Sequence, residues 1–227
     1  MNKIIITLIM LLASISFSQV NTTYKDGTDC NCDSIHQVYD DNGKLRWETP
    51  YANGKRNGIE KWYYDNGTLG YEMPYVNDNQ NGIYKEYYED DGSIKFETPY
   101  KNDKKNGVEK RYYDNGTLGW ETPFVNGKEN GIEKGYSYDG SLESETPYKN
   151  GEKNGIEKEY YDGGNFISLE TSYINGKKNG IENEYLDNGR LVSSTKYKNG
   201  VLDGEYKYCI NGKRGNADLK CNNWYDY

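Results

Sequence analysis

The chain has 227 residues, of which 36 are acidic and 28 basic, giving a formal net charge of -8. Only 34% of the residues are hydrophobic and 25 residues are tyrosine, which argues against the large aliphatic core of a globular enzyme. An aromatic content of 15% argues against a disordered chain, and the negative charge argues against nucleic acid or an anionic membrane as a partner.

Residues 1–18 have the layout of a secretory signal. Lys3 precedes an apolar run from Ile4 to Phe17, and the small residues at its end predict cleavage before Gln19. A buried helix or a membrane anchor is the alternative, but a membrane span needs about 20 apolar residues. We therefore expect an exported mature chain without an integral membrane span, located in the periplasm, in the cell envelope or outside the cell.

Residues 19–38 form a predicted N-terminal arm that contains Cys30, Cys32 and His36. The two cysteines could form a tight disulfide, a free dithiol or half of a metal site, although two thiolates without further ligands make a poor zinc site. His36 is the single histidine of the chain. We expect it to be a solvated surface residue, because a catalytic triad or a metal site needs partners on a rigid scaffold.

The region 39–213 is built from a repeat of 24 or 25 residues, which two series of glycines and all five prolines follow in step. We interpret both glycine series as turns, because Asn-Gly and Asp-Gly tolerate positive φ. The first series is Gly58, Gly82, Gly107, Gly131, Gly155, Gly180 and Gly204; the second is Gly43, Gly67, Gly92, Gly116, Gly140, Gly164 and Gly189; the prolines are Pro50, Pro74, Pro99, Pro123 and Pro147.

Each repeat contains two predicted strands, such as 45–51 (LRWETPY) and 59–64 (IEKWYY), in which residues alternate between two faces. Leu45 and Trp47 are expected on one face and Arg46 on the other. The repeated proline should mark a regular break in the strand ladder. The sequence therefore predicts an all-β fold: an elongated antiparallel meander of about seven to eight 24-residue β-hairpins.

Residues 214–227 form a predicted C-terminal cap. An exported protein folds in an oxidising compartment, and Cys209 and Cys221 are separated by a loop of hairpin size. We expect these two cysteines to form a disulfide.

The segment 51–69 (YANGKRNGIEKWYYDNGTL) resembles the variant form of the MORN repeat, as found in bacterial antitoxin-like proteins of the YwqK type. The resemblance covers residues 39–213. It implies β-hairpin repeats in an extended sheet and a role in scaffolding, protein interaction or lipid association. The typical Gly-x-Gly of MORN repeats is replaced by Gly-Ile-Glu here, as at 58–60.

The residues offer little for catalysis, so we expect a protein that is not an enzyme and that has no cofactor and no metal. Calcium at the Asp-Asn-Gly turns is the alternative, but each turn supplies too few oxygen ligands. Repeated carboxylates are expected to pair with repeated lysines across strands, since catalytic acids need unlike environments. The carboxylates are Glu60, Glu109, Glu133 and Glu157, and the lysines are Lys61, Lys85, Lys110, Lys134 and Lys158.

Two aromatic rows are predicted on opposite faces. One row alternates with aliphatic residues and is expected to be the packed face; it comprises Tyr63, Tyr87, Tyr112, Tyr136, Tyr160 and Tyr185 with Ile59, Ile83, Val108, Ile132, Ile156 and Ile181. The other is a candidate binding strip, because Tyr and Trp give large amphipathic contact areas. Its members are Trp62, Tyr64, Tyr88, Tyr113 and Tyr161. These tyrosines could instead serve only to cover neighbouring backbone and lysine stems.

The leading functional hypothesis is an exported, non-enzymatic repeat protein that binds another protein through a tyrosine-rich β-surface. An antitoxin or immunity role is one form of this hypothesis. The alternative is a structural or carbohydrate-binding element of the cell envelope, in which stacked aromatic rings hold sugar rings.

Overall fold

The computed structural model describes residues 19–24, 33–208 and 224–225, and the chain divides into one unit that ends at Asn106 and another that begins at Gly107. The described residues form strands and turns and contain no helix. The predicted all-β fold class is therefore confirmed. The predicted signal segment, Cys30, Cys32 and the predicted bridge between Cys209 and Cys221 lie outside the described residues.

The first unit is an antiparallel meander in which each long strand pairs with the next long strand along the chain. Two-residue strands extend the ends of its hairpins. Its strands are β1 (Gln19–Tyr24), β2 (Ser34–Tyr39), β3 (Leu45–Ala52), β4 (Lys55–Arg56), β5 (Gly58–Tyr63), β6 (Leu69–Val76), β7 (Asn79–Gln80), β8 (Gly82–Tyr87), β9 (Ile94–Lys101) and β10 (Lys104–Lys105).

The second unit repeats the same antiparallel order, which confirms the predicted meander of β-hairpin repeats. Its strands are β11 (Gly107–Tyr112), β12 (Leu118–Val125), β13 (Lys128–Glu129), β14 (Gly131–Tyr136), β15 (Leu142–Lys149), β16 (Glu152–Lys153), β17 (Gly155–Tyr160), β18 (Ile167–Ile174), β19 (Lys177–Tyr185), β20 (Leu191–Lys198), β21 (Val201–Tyr208) and β22 (Trp224–Tyr225).

Two turns close the hairpins of each repeat. Asn53 and Gly54 have φ of 53° and 74°, and positive φ at both central residues defines the type I′ turn that suits two-residue hairpins. At the other end of the hairpin, the Gly67 amide donates to the Tyr64 carbonyl at 2.9 Å, and the Thr68 amide donates to Asn66 Oδ1 at 2.8 Å. The second predicted glycine series therefore does mark turns.

The first predicted glycine series does not form turns. Gly58 has a φ of 124° and begins β5, and a Cβ built on it would lie 2.7 Å from Pro50 Cγ. The same geometry recurs at Gly82, Gly131 and Gly155 against their own prolines. Glycine is required there because the strand begins in the left-handed region of φ and the proline ring occupies the space of a side chain.

The prolines lie opposite a break between two strands, as predicted. Asn57 separates β4 from β5, and its amide donates to the Pro50 carbonyl at 2.9 Å. In the later repeat where Ser172 replaces proline, β19 runs without interruption, yet the register still shifts between Thr171 and Tyr173. The extra residues of the Asn-Gly segment therefore cause the shift, while proline interrupts the strand.

A second irregularity changes the predicted alternation of faces. The register between β5 and β6 shifts at Trp62 and Tyr63, and a Cβ built on Gly70 would lie 2.1 Å from the Trp62 ring. At the equivalent place in the next repeat, Lys95 Nζ lies 2.8 Å from a carboxylate oxygen of Glu86, the residue that takes the place of Trp62. The position after the first leucine therefore lies on the Trp62 face, and the prediction that Arg46 faces away from Trp47 is wrong.

Each unit has two faces, which we name after their residues. The threonine face carries Thr49 and Thr98 in the first unit and Thr146 and Thr171 in the second, and these residues are between 2% and 6% exposed. The isoleucine face is exposed. Its aliphatic residues are between 45% and 52% exposed: Ile59, Ile83, Val108, Ile132, Ile156 and Ile181.

The prediction that the isoleucine row forms the packed face is therefore wrong. Among residues 33–204, Tyr75 is the one large hydrophobic residue that is buried. On the threonine face, a small Thr49 lies next to Trp47 and Tyr51 along the strand and contacts the long Glu60 side chain across it. On the other face, Ile59 is paired with a proline, which is too short to cover it.

Candidate functional site

The threonine face is organised by a repeated carboxylate network. Thr49 Oγ1 donates to Glu60 at 3.0 Å, and the Tyr71 hydroxyl donates to the other oxygen of the same carboxylate at 3.3 Å. Glu60 is only 9% exposed, so these hydrogen bonds replace the water that its carboxylate has lost. The same bond recurs in the second unit, with distances of 2.8 to 3.1 Å: Thr122 to Glu133, Thr146 to Glu157 and Thr171 to Glu182.

These carboxylates were predicted to pair with the Lys61 row, and that prediction is wrong. Neighbouring residues on a strand point to opposite faces, so Glu60 lies on the threonine face while Lys61 lies on the isoleucine face. Lys61 is instead in register with Glu48 and Glu72. The cross-strand charge pairing exists, but it uses the glutamates of the Thr-Pro strands.

A group of five aromatic residues on the threonine face of the first unit is the most prominent surface feature; we call it the aromatic cluster. Trp62 stacks near-parallel on Tyr71 with ring centroids 6.0 Å apart, and it meets Tyr64 edge-on at 4.7 Å. Trp47 contacts the edge of Tyr71 at 5.7 Å, and Tyr84 lies 5.9 Å from the same ring. Tyr71 is therefore the centre of the cluster.

The rings of the aromatic cluster are half-buried, and two of its phenols, those of Tyr71 and Tyr84, have a raised pKa. Burial, together with the charge of Glu60 and the hydrogen bond to it, raises the pKa of Tyr71 well above its usual range. Burial and the Glu86 carboxylate, which accepts the Tyr84 hydroxyl at 3.1 Å, raise the pKa of Tyr84 in the same way. Tyr71 and Tyr84 therefore present neutral rings with fixed hydroxyls, which suits contact with another surface.

The predicted binding residues fall into two groups. Trp62 and Tyr64 belong to the aromatic cluster, and Tyr88 lies near Lys95 Nζ, which is 5.8 Å from the centre of its ring. Tyr113 and Tyr161 lie in the second unit, where the Tyr113 ring is 5.9 Å from that of Trp120 and 5.3 Å from that of Tyr138.

The tyrosine hydroxyls of this row also connect consecutive repeats. Tyr64 donates to the carbonyl of Tyr87 at 3.1 Å, Tyr113 to that of Tyr136 at 2.8 Å, and Tyr161 to that of Tyr185 at 2.6 Å. Each acceptor lies in the repeat that follows the donor. In these contacts the tyrosines cover neighbouring backbone, which was the alternative to a binding role in the sequence analysis.

Within the described residues of the second unit, the aromatic cluster has no full counterpart. Arg111 and Gly135 occupy the place of Trp62, and Ser144 occupies the place of Tyr71. Trp120 remains, with Tyr113 at 5.9 Å and the Arg111 guanidinium at 5.4 Å from its ring. Sequence reasoning treated all repeats alike and missed Trp47, Tyr71 and Tyr84; the loss of aromatic residues along the repeats was the signal for them.

The described residues provide little else for a chemical site. His36 lies in β2, half-buried and in register with Thr49. Among the described residues, no group of three or more His, Cys, Asp or Glu side chains is placed to hold a metal ion. Within the same residues, no helix has the length and apolar character of a membrane span.

Comparison with family models identifies the repeat. The model described as MORN repeat variant matches residues 56–77, 80–102, 105–118 and 129–150. These four segments belong to the MORN repeat variant family. No curated protein matches the chain. The MORN-variant matches begin in the first unit and continue into the second, so both units are built from the same repeat. The antitoxin-like subfamily stays a prediction.

Proposed function

We propose that this MORN-variant chain is a non-enzymatic repeat protein that binds another protein through the aromatic cluster of its first unit. The observation that supports this proposal is the convergence of Trp47, Trp62, Tyr64, Tyr71 and Tyr84 on one half-buried surface. Large aromatic residues with fixed hydroxyls dominate the binding energy of protein interfaces, because they bury much area at a low entropic cost.

Fixed charges at the cluster add a means of selecting the partner. Glu86 accepts hydrogen bonds from both Tyr84 and Lys95, and the Arg56 guanidinium stacks over Tyr75 at 4.0 Å. Charged groups around an aromatic centre restrict partners by charge complementarity more than they add affinity.

The test compares two tryptophans of the threonine face. The purified chain, its Trp62→Ala variant and its Trp120→Ala variant are used to capture proteins from the envelope fraction of the producing organism. The partner so identified should bind the Trp62→Ala variant about 30-fold more weakly, the effect of losing one hot-spot residue of about 2 kcal/mol. The Trp120→Ala variant should bind within about threefold of the parent, and equal losses in both variants would refute the cluster as the binding surface.

A carbohydrate ligand is the second candidate, and the near-parallel rings of Trp62 and Tyr71 favour it. Flat aromatic rings give a sugar ring an apolar surface, and the neighbouring hydroxyls give it hydrogen bonds. Soluble oligosaccharide should abolish binding of a glycan and leave binding of a protein unchanged. This competition assay separates the two candidates on the same captured material.

We also propose that the protein is exported and acts in the periplasm, the cell envelope or outside the cell. The layout of residues 1–18 supports this proposal. Mass spectrometry of the protein from fractionated cells should find a mature N-terminus at Gln19. An antitoxin or immunity role is then tested by whether the captured partner is toxic and whether the mature chain neutralises it.

A further inference from the structure

The isoleucine face of the second unit carries two parallel features. The first is a charge row of one residue per long strand, each in register with the next. Its members alternate in sign: Lys110, Glu121, Lys134, Glu145, Lys158 and Glu170. The second is an aliphatic stripe beside it, formed by Val108, Pro123, Ile132, Pro147 and Ile156, whose valine and isoleucines are 45% to 52% exposed.

The charge row is held in place by hydrogen bonds within the sheet. The hydroxyls of Tyr136, Tyr160 and Tyr185 donate to Glu121, Glu145 and Glu170 at 3.3, 2.9 and 2.8 Å. Lys134 Nζ lies 3.9 Å from Glu145. The alternation of sign is therefore a fixed property of this face.

The charge row is complementary to itself. It has an even number of members, with Lys134 on β14 and Glu145 on β15 at its centre. Consider a two-fold axis that runs parallel to the strands, midway between β14 and β15. Rotation about this axis places the isoleucine face of a second copy over that of the first, with the order of the strands reversed. Every lysine of one copy then lies over a glutamate of the other: Lys134 over Glu145, Lys158 over Glu121 and Lys110 over Glu170.

The same axis also matches the aliphatic stripes. It places Ile132 of one copy over Pro147 of the other, and Ile156 over Pro123. A bulky exposed side chain thus meets a short ring in each pair, which is the alternation of large and small residues that lets two sheets pack about 10 Å apart. Six strands with about 20 Å of paired length present about 600 Å² per copy. The two copies together reach about 1,200 Å², the lower bound for a specific stable interface.

We propose that the isoleucine face of the second unit is a dimer interface with a second copy of this chain. The first unit fits this geometry less well. Its row has an odd number of members with a glutamate at the centre, so no axis between strands pairs every charge: Glu48, Lys61, Glu72, Lys85 and Glu97.

The proposal is tested by the mass of the full chain in solution, using light scattering after size exclusion. The parent should have twice the chain mass of 26.2 kDa at tens of micromolar. The double variant Ile132→Glu/Ile156→Glu should be monomeric, because it places carboxylates in the stripe. The control, Ile83→Glu, changes an isoleucine of the same exposure on the same face of the first unit and should remain dimeric.

A parent that is monomeric at every concentration would overturn the proposal, and so would a dimer that survives in the double variant or is lost in the control. If the double variant fails to fold, zero-length cross-linking of the parent tests the dimer interface instead. Lys158 and Glu121 are three strands apart in one chain, about 14 Å, which is too far for such a link. A Lys158–Glu121 cross-link in the dimer band supports the interface, and its absence from a cross-linked dimer refutes it.

Discussion

The threonine face and the isoleucine face are made by the same strands but bury different residues. Thr171 is 2% exposed on one face, whereas Ile156 is 52% exposed on the other. Thr171 lies opposite the longer Glu182 side chain, whereas Ile156 lies opposite the short Ser172. Stability is therefore expected to depend on the polar network of the threonine face, while the apolar residues of the other face remain available for contact.

The largest expected effect is one that acts on both faces, the loss of stability at alkaline pH. Burial, aided by Glu72, Glu145 and Glu157 respectively, raises the pKa of Tyr87, Tyr160 and Tyr173 to about 12 from 10.0. The folded state thus holds these protons more tightly than the unfolded state. Their contribution to stability is complete below about pH 10 and is lost as the pH rises through about 12.

Urea unfolding at a series of pH values measures this loss, with the absorbance of tyrosinate recorded in parallel. The Tyr160→Phe variant should show a shallower decline than the parent between about pH 10 and 12, since one linked proton is removed. An identical pH profile for the two proteins would contradict the linkage.

The next largest effect is expected from breaking the network of the threonine face. Glu182 accepts hydrogen bonds from Thr171 at 3.1 Å and from Tyr197 at 3.3 Å, and it pairs with Lys178. The Glu182→Ala variant leaves the buried Thr171 hydroxyl without this partner and should lose about 2 kcal/mol of unfolding free energy. The Glu182→Gln variant keeps an acceptor and should lose less; an equal loss would mean that charge alone matters.

A smaller effect is expected from the contact between repeats. The Tyr161→Phe variant keeps the ring but removes the hydroxyl bond to the Tyr185 carbonyl, at a cost of about 1 kcal/mol. Tyr161→Leu, which copies the residue at Leu186 in the next repeat, should cost more because it also removes a half-buried aromatic ring. Denaturant unfolding measures both, and a Phe variant as stable as the parent would show that the hydroxyl bond contributes nothing.

The smallest expected effect on stability is that of a substitution on the isoleucine face. The Ile156→Thr variant should change the unfolding free energy by less than about 0.5 kcal/mol, because the side chain is already half exposed. A loss above about 1 kcal/mol would show that this face is packed after all. The measurement is made at submicromolar concentration so that self-association does not contribute.

The sequence predicted the hairpins because turn chemistry is local. Asn-Gly pairs and Asp-Asn-Gly segments act through the φ values of their own residues, so a repeat of such residues specifies an antiparallel meander. The opposite faces of Glu48 and Trp47 followed from simple alternation. The strand-starting role of Gly58 did not, since it depends on the ring of Pro50 on the neighbouring strand.

The candidate site was predictable only in part. Tyr64 was identified because tyrosine recurs at its position, and Trp62 was identified because alternation places it on the face of Tyr64. The central role of Tyr71 depends on its register directly opposite Trp62. That register is set by pairing between strands and has no strong local signal. The exposure of Ile59 was missed for a similar reason, because hydrophobicity was read from the residue and not from the size of its neighbours.

The hydroxyl bonds from Tyr64, Tyr113 and Tyr161 all run from one repeat to the next repeat along the chain. Each tyrosine donates to a carbonyl that comes later in the chain, and none of these three bonds points back to an earlier repeat. During synthesis from the N-terminus, the tyrosine of a newly made repeat therefore cannot form this hydrogen bond until the next repeat has been made. We therefore expect these three bonds to form one after another, beginning at the N-terminal end.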